Sequence, residues 1–215
     1  MSILKEKQIV KRVGISLAGF VVMAFGVAFS IKGNLGTSPI SSVPYTISQI
    51  SGLTVGTATM LLHCIFVLIQ ILLLRKKYEW FQLTQILVGV VFGSLTDLAN
   101  LCLSGITVNS YPMQWVFCII GIILVGLGVS LEVSGNILIV AGEGLVVAIC
   151  KVVPVKFGNM KVIVDVCLVI IAVALGLCFR GEIYGVREGT LAAAILVGQV
   201  SKLFLSLKKD RPGSN

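Results

Sequence analysis

Charge is what this chain has least of. Asp, Glu, Lys and Arg supply 12% of its 215 residues and 57% are hydrophobic, whereas a soluble domain carries about a quarter charged residues. With a mean hydropathy of +1.05, this balance excludes a soluble globular domain. It indicates an integral membrane protein, to be counted in spans of about 20 residues. Histidine occurs once, at His63, and the cysteines Cys64, Cys102, Cys118, Cys150, Cys167 and Cys178 stand singly, with no Cys-x-x-Cys pair. No metal centre is expected from such a set, and the cysteines read as small buried hydrophobes. Gly-x-Ser-x-Gly, His-Glu-x-x-His, a Walker loop and a dinucleotide fingerprint are all missing, so neither an enzyme nor a cofactor is expected. The first apolar run continues as a full span without a small-x-small cleavage site, so no cleavable signal peptide is expected either.

What charge there is leans positive, with 17 Lys and Arg against 9 Asp and Glu. These cations sit in loops rather than on one amphipathic face, which follows the positive-inside rule and argues against a nucleic-acid partner. Lys5, Lys7, Lys11 and Arg12 precede a first span over roughly 13–32; later spans fall near 55–74, 82–102, 113–133, 158–179 and 188–206. Arg75, Lys76 and Lys77 follow the second, Lys151, Lys156 and Lys161 lie between the fourth and fifth, and Lys208, Lys209 and Arg211 follow the sixth. Six spans with both termini in the cytoplasm satisfy this bias. The expected location is a bacterial cytoplasmic (inner) membrane.

The chain also repeats itself. A shift of 102 positions carries Gly33-Asn34 onto Gly135-Asn136, and Gly19, Gly26 and Gly56 onto Gly121, Gly128 and Gly158. Val27, Ile47, Val67 and Ile69 recur in the same frame as Val129, Ile149, Val169 and Ile171. Residues 1–103 and 113–207 therefore read as two copies of one membrane unit, with 208–215 as a cytoplasmic tail. Three spans per copy is odd, so the second copy enters from the opposite side: inverted topology. That count takes Pro39 to Ile50 and Gly144 to Val153 as re-entrant half-helices, apolar but too short to cross. If both cross instead, the repeats become parallel. The expected fold is thus an all-α membrane protein of six transmembrane helices, arranged as two inverted three-helix repeats, each with a re-entrant half-helix after its first span.

Gly19, Gly26 and Gly33, and again Gly121, Gly128 and Gly135, recur every seven residues and form one stripe on each helix. Two readings stand: close helix packing, or glycine ends that also let backbone face a cavity. Asn34 and Asn136 follow equivalent glycines, and each either caps the half-helix or offers its amide to a ligand. Thr37, Ser38, Ser41, Ser42 and Tyr45 make a hydroxyl-rich segment at the start of the first half-helix, where free N–H groups and the positive dipole end favour an anion. In the second copy Ile137 to Val140 stand there, so the site is asymmetric.

Ionisable groups inside a span are costly, about 2.5–3.5 kcal/mol at the centre on insertion scales, and need a partner or a task. Glu132 and Glu143 flank the second break, either bonding freed backbone N–H groups or binding and releasing a coupling proton. Asp165 lies four residues after Lys161, as in a helix-start ion pair, and occupies the place of His63 in the other copy. Candidate substrate-binding residues are accordingly Asn34, Thr37, Ser38, Ser41, Tyr45 and Asn136, with Glu132, Glu143, His63 and Asp165 as candidates for coupling or gating. Asn34, Ser38, Tyr45, Glu132, Asn136 and Glu143 are expected on one shared cavity, because each break leaves backbone groups that lipid cannot satisfy.

Lys32, Leu35-Gly36, Pro39 and the later Gly52-Leu-Thr-Val-Gly56 make the chain resemble the bacterial YczE/YyaS-like integral membrane proteins, relatives of the YitT-type proteins. The resemblance covers most of the layout through short motifs, and the second copy keeps only Gly135-Asn136 and Gly158. It implies a polytopic membrane protein from a largely uncharacterised family, some members of which are linked to regulation of secondary metabolite production and some presumed transporters. The leading expectation is a secondary transporter or facilitator of a small polar or anionic solute, bound where the repeats meet. The competing one is a membrane regulator or scaffold that moves nothing and acts through a partner. A cavity between the breaks favours the first and a dry interface the second. Expected partners are the lipid bilayer and a small-molecule solute, with a homodimer compatible.

Overall fold

The computed structural model describes residues 2–135 and 137–209, with side chains described for 8–207 apart from 136. Asn136 and most of the expected tail, from 210 on, lie outside the described residues. The described residues form eight α-helices, α1 Ser2–Gly33, α2 Pro39–Ser51, α3 Val55–Leu74, α4 Thr84–Cys102, α5 Tyr111–Gly135, α6 Ala141–Val152, α7 Phe157–Arg180 and α8 Glu188–Lys209, and two 3₁₀ turns between α3 and α4. Six helices are long and apolar enough to cross a membrane: Gln8–Gly33, Val55–Lys77, Trp80–Cys102, Tyr111–Gly135, Phe157–Arg180 and Glu188–Leu207. The two others, α2 and α6, have 13 and 12 residues, about 18–20 Å of helix against a hydrocarbon core of about 30 Å.

Local signals explain where the short helices stop. Pro39 opens α2, where a missing N–H costs nothing. Gly52, at φ 75°, closes it by donating its N–H to the Ser48 carbonyl at 3.2 Å, a conformation that favours glycine. Two residues on, Thr54 caps α3 by accepting from the Thr57 N–H. Asp97, reaching over from α4, reinforces that start: Oδ1 accepts from the Gly56 N–H at 2.7 Å and Oδ2 from the Thr54 hydroxyl at 2.6 Å. Nothing local in the sequence links Gly56 to Asp97, 41 residues apart.

The glycine stripes face each other. Gly19 of α1 sits against the Gly128 carbonyl of α5, Gly26 against Gly121 and Val125, Gly33 against Gln114, and Gly135 against Arg12 and Ser16. Numbers rise on one helix as they fall on the other, so α1 and α5 run antiparallel. A Cβ on Gly19 would lie 2.8 Å from the Gly128 oxygen, and one on Gly26 2.7 Å from the Val125 nitrogen. Such contacts are backbone to backbone, where small residues are needed.

Around this pair the short helices cross over. α2 packs on α7, and α6 packs on α3. Val43, Leu62, Phe66, Ala141, Leu145, Leu168 and Ala172 from these four helices form one buried cluster. α4 flanks α1 through Ala24, Ala28, Ala99 and Leu103, and α8 flanks α5 through Ile122 and Ala193. One relation is not matched across the molecule. α3 and α4 pack along their length through Gly56, Gly89 and Gly93, whereas α7 and α8 barely touch. Only 17% of the span window is buried in each of α7 and α8, against 44% and 39% in the spans of α3 and α4. Several cysteines expected inside face outward instead: Cys118 is buried, while Cys102, Cys167 and Cys178 are exposed on apolar surfaces that lipid solvates.

Candidate functional site

The gap between α7 and α8 leads into a cavity of about 530 Å³, within the range of small-molecule sites. Met23 and Val27 of α1, Leu62 of α3, Phe92 of α4, and Val125 and Val129 of α5 form apolar wall, into which Ser38, Ser41, Thr59, His63, Glu132, Glu143, Lys161 and Asp165 insert polar groups. α8 completes the wall with Val197, Gly198, Ser201 and Lys202.

Glu132 is the deepest of these groups, 1% exposed on the last turns of α5. The residue before α6 is Val140, whose side chain cannot cap a helix; Glu132 Oε1 instead anchors that residue, accepting the Val140 N–H at 2.9 Å. Its Oε2 has no hydrogen-bond partner among the described residues. One carboxylate of a cavity-lining residue thus combines a structural bond with a buried oxygen that has no partner among the described residues. Glu143 lies in the first turn of α6, where the helix dipole favours a negative charge, half-buried on the same wall. It is within electrostatic reach of Glu132, Lys161 and Asp165. Lys161 Nζ donates to Asp165 Oδ1, forming the expected i,i+4 pair on α7.

His63, the counterpart of Asp165 in the repeat frame, lies on the same wall. It is 3% exposed, its ring parallel to that of Phe92 at 6.1 Å and 7° and seated on Gly89, where a Cβ would come 2.7 Å from Nδ1. That nitrogen has no hydrogen-bond partner among the described residues.

The first break does not open into this cavity as a whole. Ser38 and Ser41 reach it, but Asn34, Thr37 and Tyr45 line a separate pocket of about 60 Å³ with Tyr184, Gly185 and Arg187. The expectation of one shared cavity therefore fails for Asn34 and Tyr45. The cause is the α7–α8 loop, which satisfies the unpaired backbone of the break. The Thr37 N–H donates to the Gly185 carbonyl at 2.9 Å, the Gly189 N–H to the Leu35 carbonyl at 2.8 Å, and Arg187 to the Asn34 carbonyl at 2.9 Å. The Thr46 hydroxyl adds a bond to the Tyr184 carbonyl at 2.9 Å. Asn34 does not cap α2 either. It takes φ 52° itself and ends α1, while Ser38 precedes α2 and turns its hydroxyl to Ser41 at 3.0 Å. The equivalent placement of Asn136 lies outside the described residues.

Two residues that sequence reasoning passed over hold the wall of α6. Gln70 and Gln85 are both buried; Gln70 Nε2 donates to Gln85 Oε1 at 2.9 Å and to the Ala141 carbonyl at 3.2 Å. Their signal was available, because amides within apolar spans need partners.

Comparison with known proteins finds relatives but no activity. Residues 10–206 match the model of a family described as a family of unknown function, DUF6198. The uncharacterized membrane protein YczE of Bacillus subtilis (strain 168) is 29% identical over 133 residues, 61% of this chain and 60% of that protein. YyaS of the same organism, an uncharacterized protein, is 30% identical over 53% of this chain and 55% of its own length. An uncharacterized protein of Haemophilus influenzae is 22% identical over 92% of this chain and 84% of its own. The chain thus spans little more than half the length of the two Bacillus proteins it matches. No solved structure matches it significantly.

Proposed function

We propose, for a chain that belongs to the DUF6198 family of unknown function, a secondary carrier built from two inverted repeats that binds a small solute between them. Parity supports the inversion. If α2 crossed the membrane, α5 would be the fifth crossing and parallel to α1; as a re-entrant helix, α2 leaves α5 the fourth, and the packing of α1 on α5 is antiparallel. The exchange of short helices, α2 onto α7 and α6 onto α3, has the form expected of a twofold axis in the membrane plane. Lys11, Arg12, Arg75, Lys76, Lys77, Lys151 and Lys156 then share one end of the bundle, which the positive-inside rule assigns to the cytoplasm of a bacterial inner membrane.

The observation that carries the reading is the mismatch between the halves. Both contribute to one cavity of about 530 Å³, closed where α3 meets α4 and open where α7 parts from α8. Two copies of one unit have access to the same two arrangements. Exchanging them closes α7 on α8, parts α3 from α4 and presents the same residues to the other side, which is alternating access. A scaffold with no cargo has no use for such a cavity.

Labelling tests this without knowing the solute. In a background lacking the six native cysteines, Ser41→Cys on the cavity wall is treated with a membrane-impermeant thiol reagent in right-side-out and in inside-out vesicles. Alternation predicts modification from both sides. Modification from one side alone overturns the carrier and favours a regulator or scaffold.

A further inference from the structure

The cavity wall is chemically unbalanced. Lys161 is engaged by Asp165, whereas Glu132 and Glu143 make no ion pair among the described residues, and the remaining lysine, Lys202, is exposed on α8. Glu132, on the wall of this space, keeps one buried carboxylate oxygen without a hydrogen-bond partner among the described residues. A carboxylate removed from water is stable only when a positive group or a proton answers it. Most of the rest of the wall is hydrocarbon, which suits an occupant with apolar surface of its own.

The route in has its own chemistry. Gly158 and Gly198 line the gap between α7 and α8, and no atom lies within 4 Å of where a Cβ on either would stand. Beside them Val162 and Ile195, 61% and 67% exposed, mark the surface that lipid covers. The opening therefore faces hydrocarbon as well as solvent.

We infer that the cavity takes a lipophilic organic cation, an ammonium or phosphonium with apolar substituents, which enters sideways between α7 and α8 and sets its charge against Glu132 and Glu143. The apolar substituents replace lipid contacts with Met23, Val27 and Val129, and the charge relieves the two unpaired carboxylates. An anion would place like charges together. This replaces the anionic solute expected from the start of α2 with a cation, because Ser38 and Ser41 are the only hydroxyls of that segment that reach the cavity while three carboxylates line it. The inference rests on the carrier reading only in taking this cavity as the ligand site.

The probes are tetraphenylphosphonium and tetraphenylborate, ions of one shape and opposite charge, measured separately by calorimetry on the full chain in neutral detergent. Saturable binding of one phosphonium per chain is expected, with none of the borate. Glu132→Gln and Glu143→Gln should each weaken the phosphonium at least tenfold. Gly198→Trp, whose Cβ meets no atom within 4 Å and whose ring is placed at the open gap, should slow or abolish its binding at an unchanged Tm. Since Glu132 also anchors the residue before α6, a poorly folded Glu132→Gln leaves Glu143→Gln and Gly198→Trp to decide. Equal or tighter borate binding, no saturable phosphonium binding to the native chain, or native affinity in both of those deciding variants overturns the site. Saturable phosphonium binding with one-sided labelling at Ser41→Cys keeps the site and sinks the carrier; two-sided labelling with no cation bound does the reverse.

Discussion

Glu132 on α5 accepts the backbone N–H of Val140, eight residues later, and so anchors the start of α6 with a side chain from another helix. Removing the oxygens by Glu132→Ala leaves a buried N–H without an acceptor, a loss of about 1–3 kcal/mol. Glu132→Gln keeps an acceptor at the same reach. Thermal unfolding in detergent should show a clear fall in Tm for the alanine variant and a much smaller one for glutamine; equal losses would mean that this bond contributes little.

The antiparallel glycine contact makes a second prediction. Gly26→Leu drives a side chain into the α5 backbone at Val125 and Gly121, and overpacking of this kind costs about 1–3 kcal/mol or more. Gly14→Ala, where nothing lies within 4 Å of the added Cβ, should be neutral or slightly stabilising, since alanine exceeds glycine in helix propensity by about 1 kcal/mol. Similar folded yield and Tm for the two variants would exclude tight α1–α5 packing.

Asp97 holds the first turn of α3 through Gly56 and Thr54. Asp97→Ala should lower stability by about 1–2 kcal/mol, as for other lost helix caps, and should speed amide exchange at the start of α3 rather than across the bundle. Exchange that quickens uniformly, or not at all, would assign Asp97 no local role.

Six crossings with the cytoplasmic termini proposed above predict opposite fates for two loop cysteines. Ser110→Cys, before α5, should react with an impermeant reagent on intact cells, and Lys76→Cys, after α3, should not. Reaction at both would overturn the topology.

The six spans were legible because lipid imposes a local rule: each crossing must satisfy its backbone internally and present about 20 apolar residues, so the expected and observed boundaries differ by no more than three residues except at the start of the first, whose helix begins at Ser2 rather than near 13. The seven-residue spacing of Gly19, Gly26 and Gly33 was legible for the same reason, since it places small residues on one helical face. The Lys161–Asp165 pair needed only the pitch of α7. Gln70 and Gln85 were missed because a lone amide in an apolar run does not say which amide it will meet 15 residues away. The split of the first break into two pockets was not legible, since it depends on the Tyr184–Gly189 loop arriving from the far end of the chain.

By itself, then, the sequence determined a membrane protein of six crossing helices with two short ones between, and a repeat that aligns His63 with Asp165. Hydropathy, helical pitch and glycine spacing act over one turn to one span, which is why they can be read along the chain. Tertiary structure decided that His63, Asp165, Glu132 and Glu143 share a cavity while Asn34 and Tyr45 do not, and that α7 stands apart from α8 although α3 lies against α4. Those outcomes depend on contacts between separate helices, some of them more than a hundred positions apart as between Thr37 and Gly185, and only the packing of the whole bundle sets them.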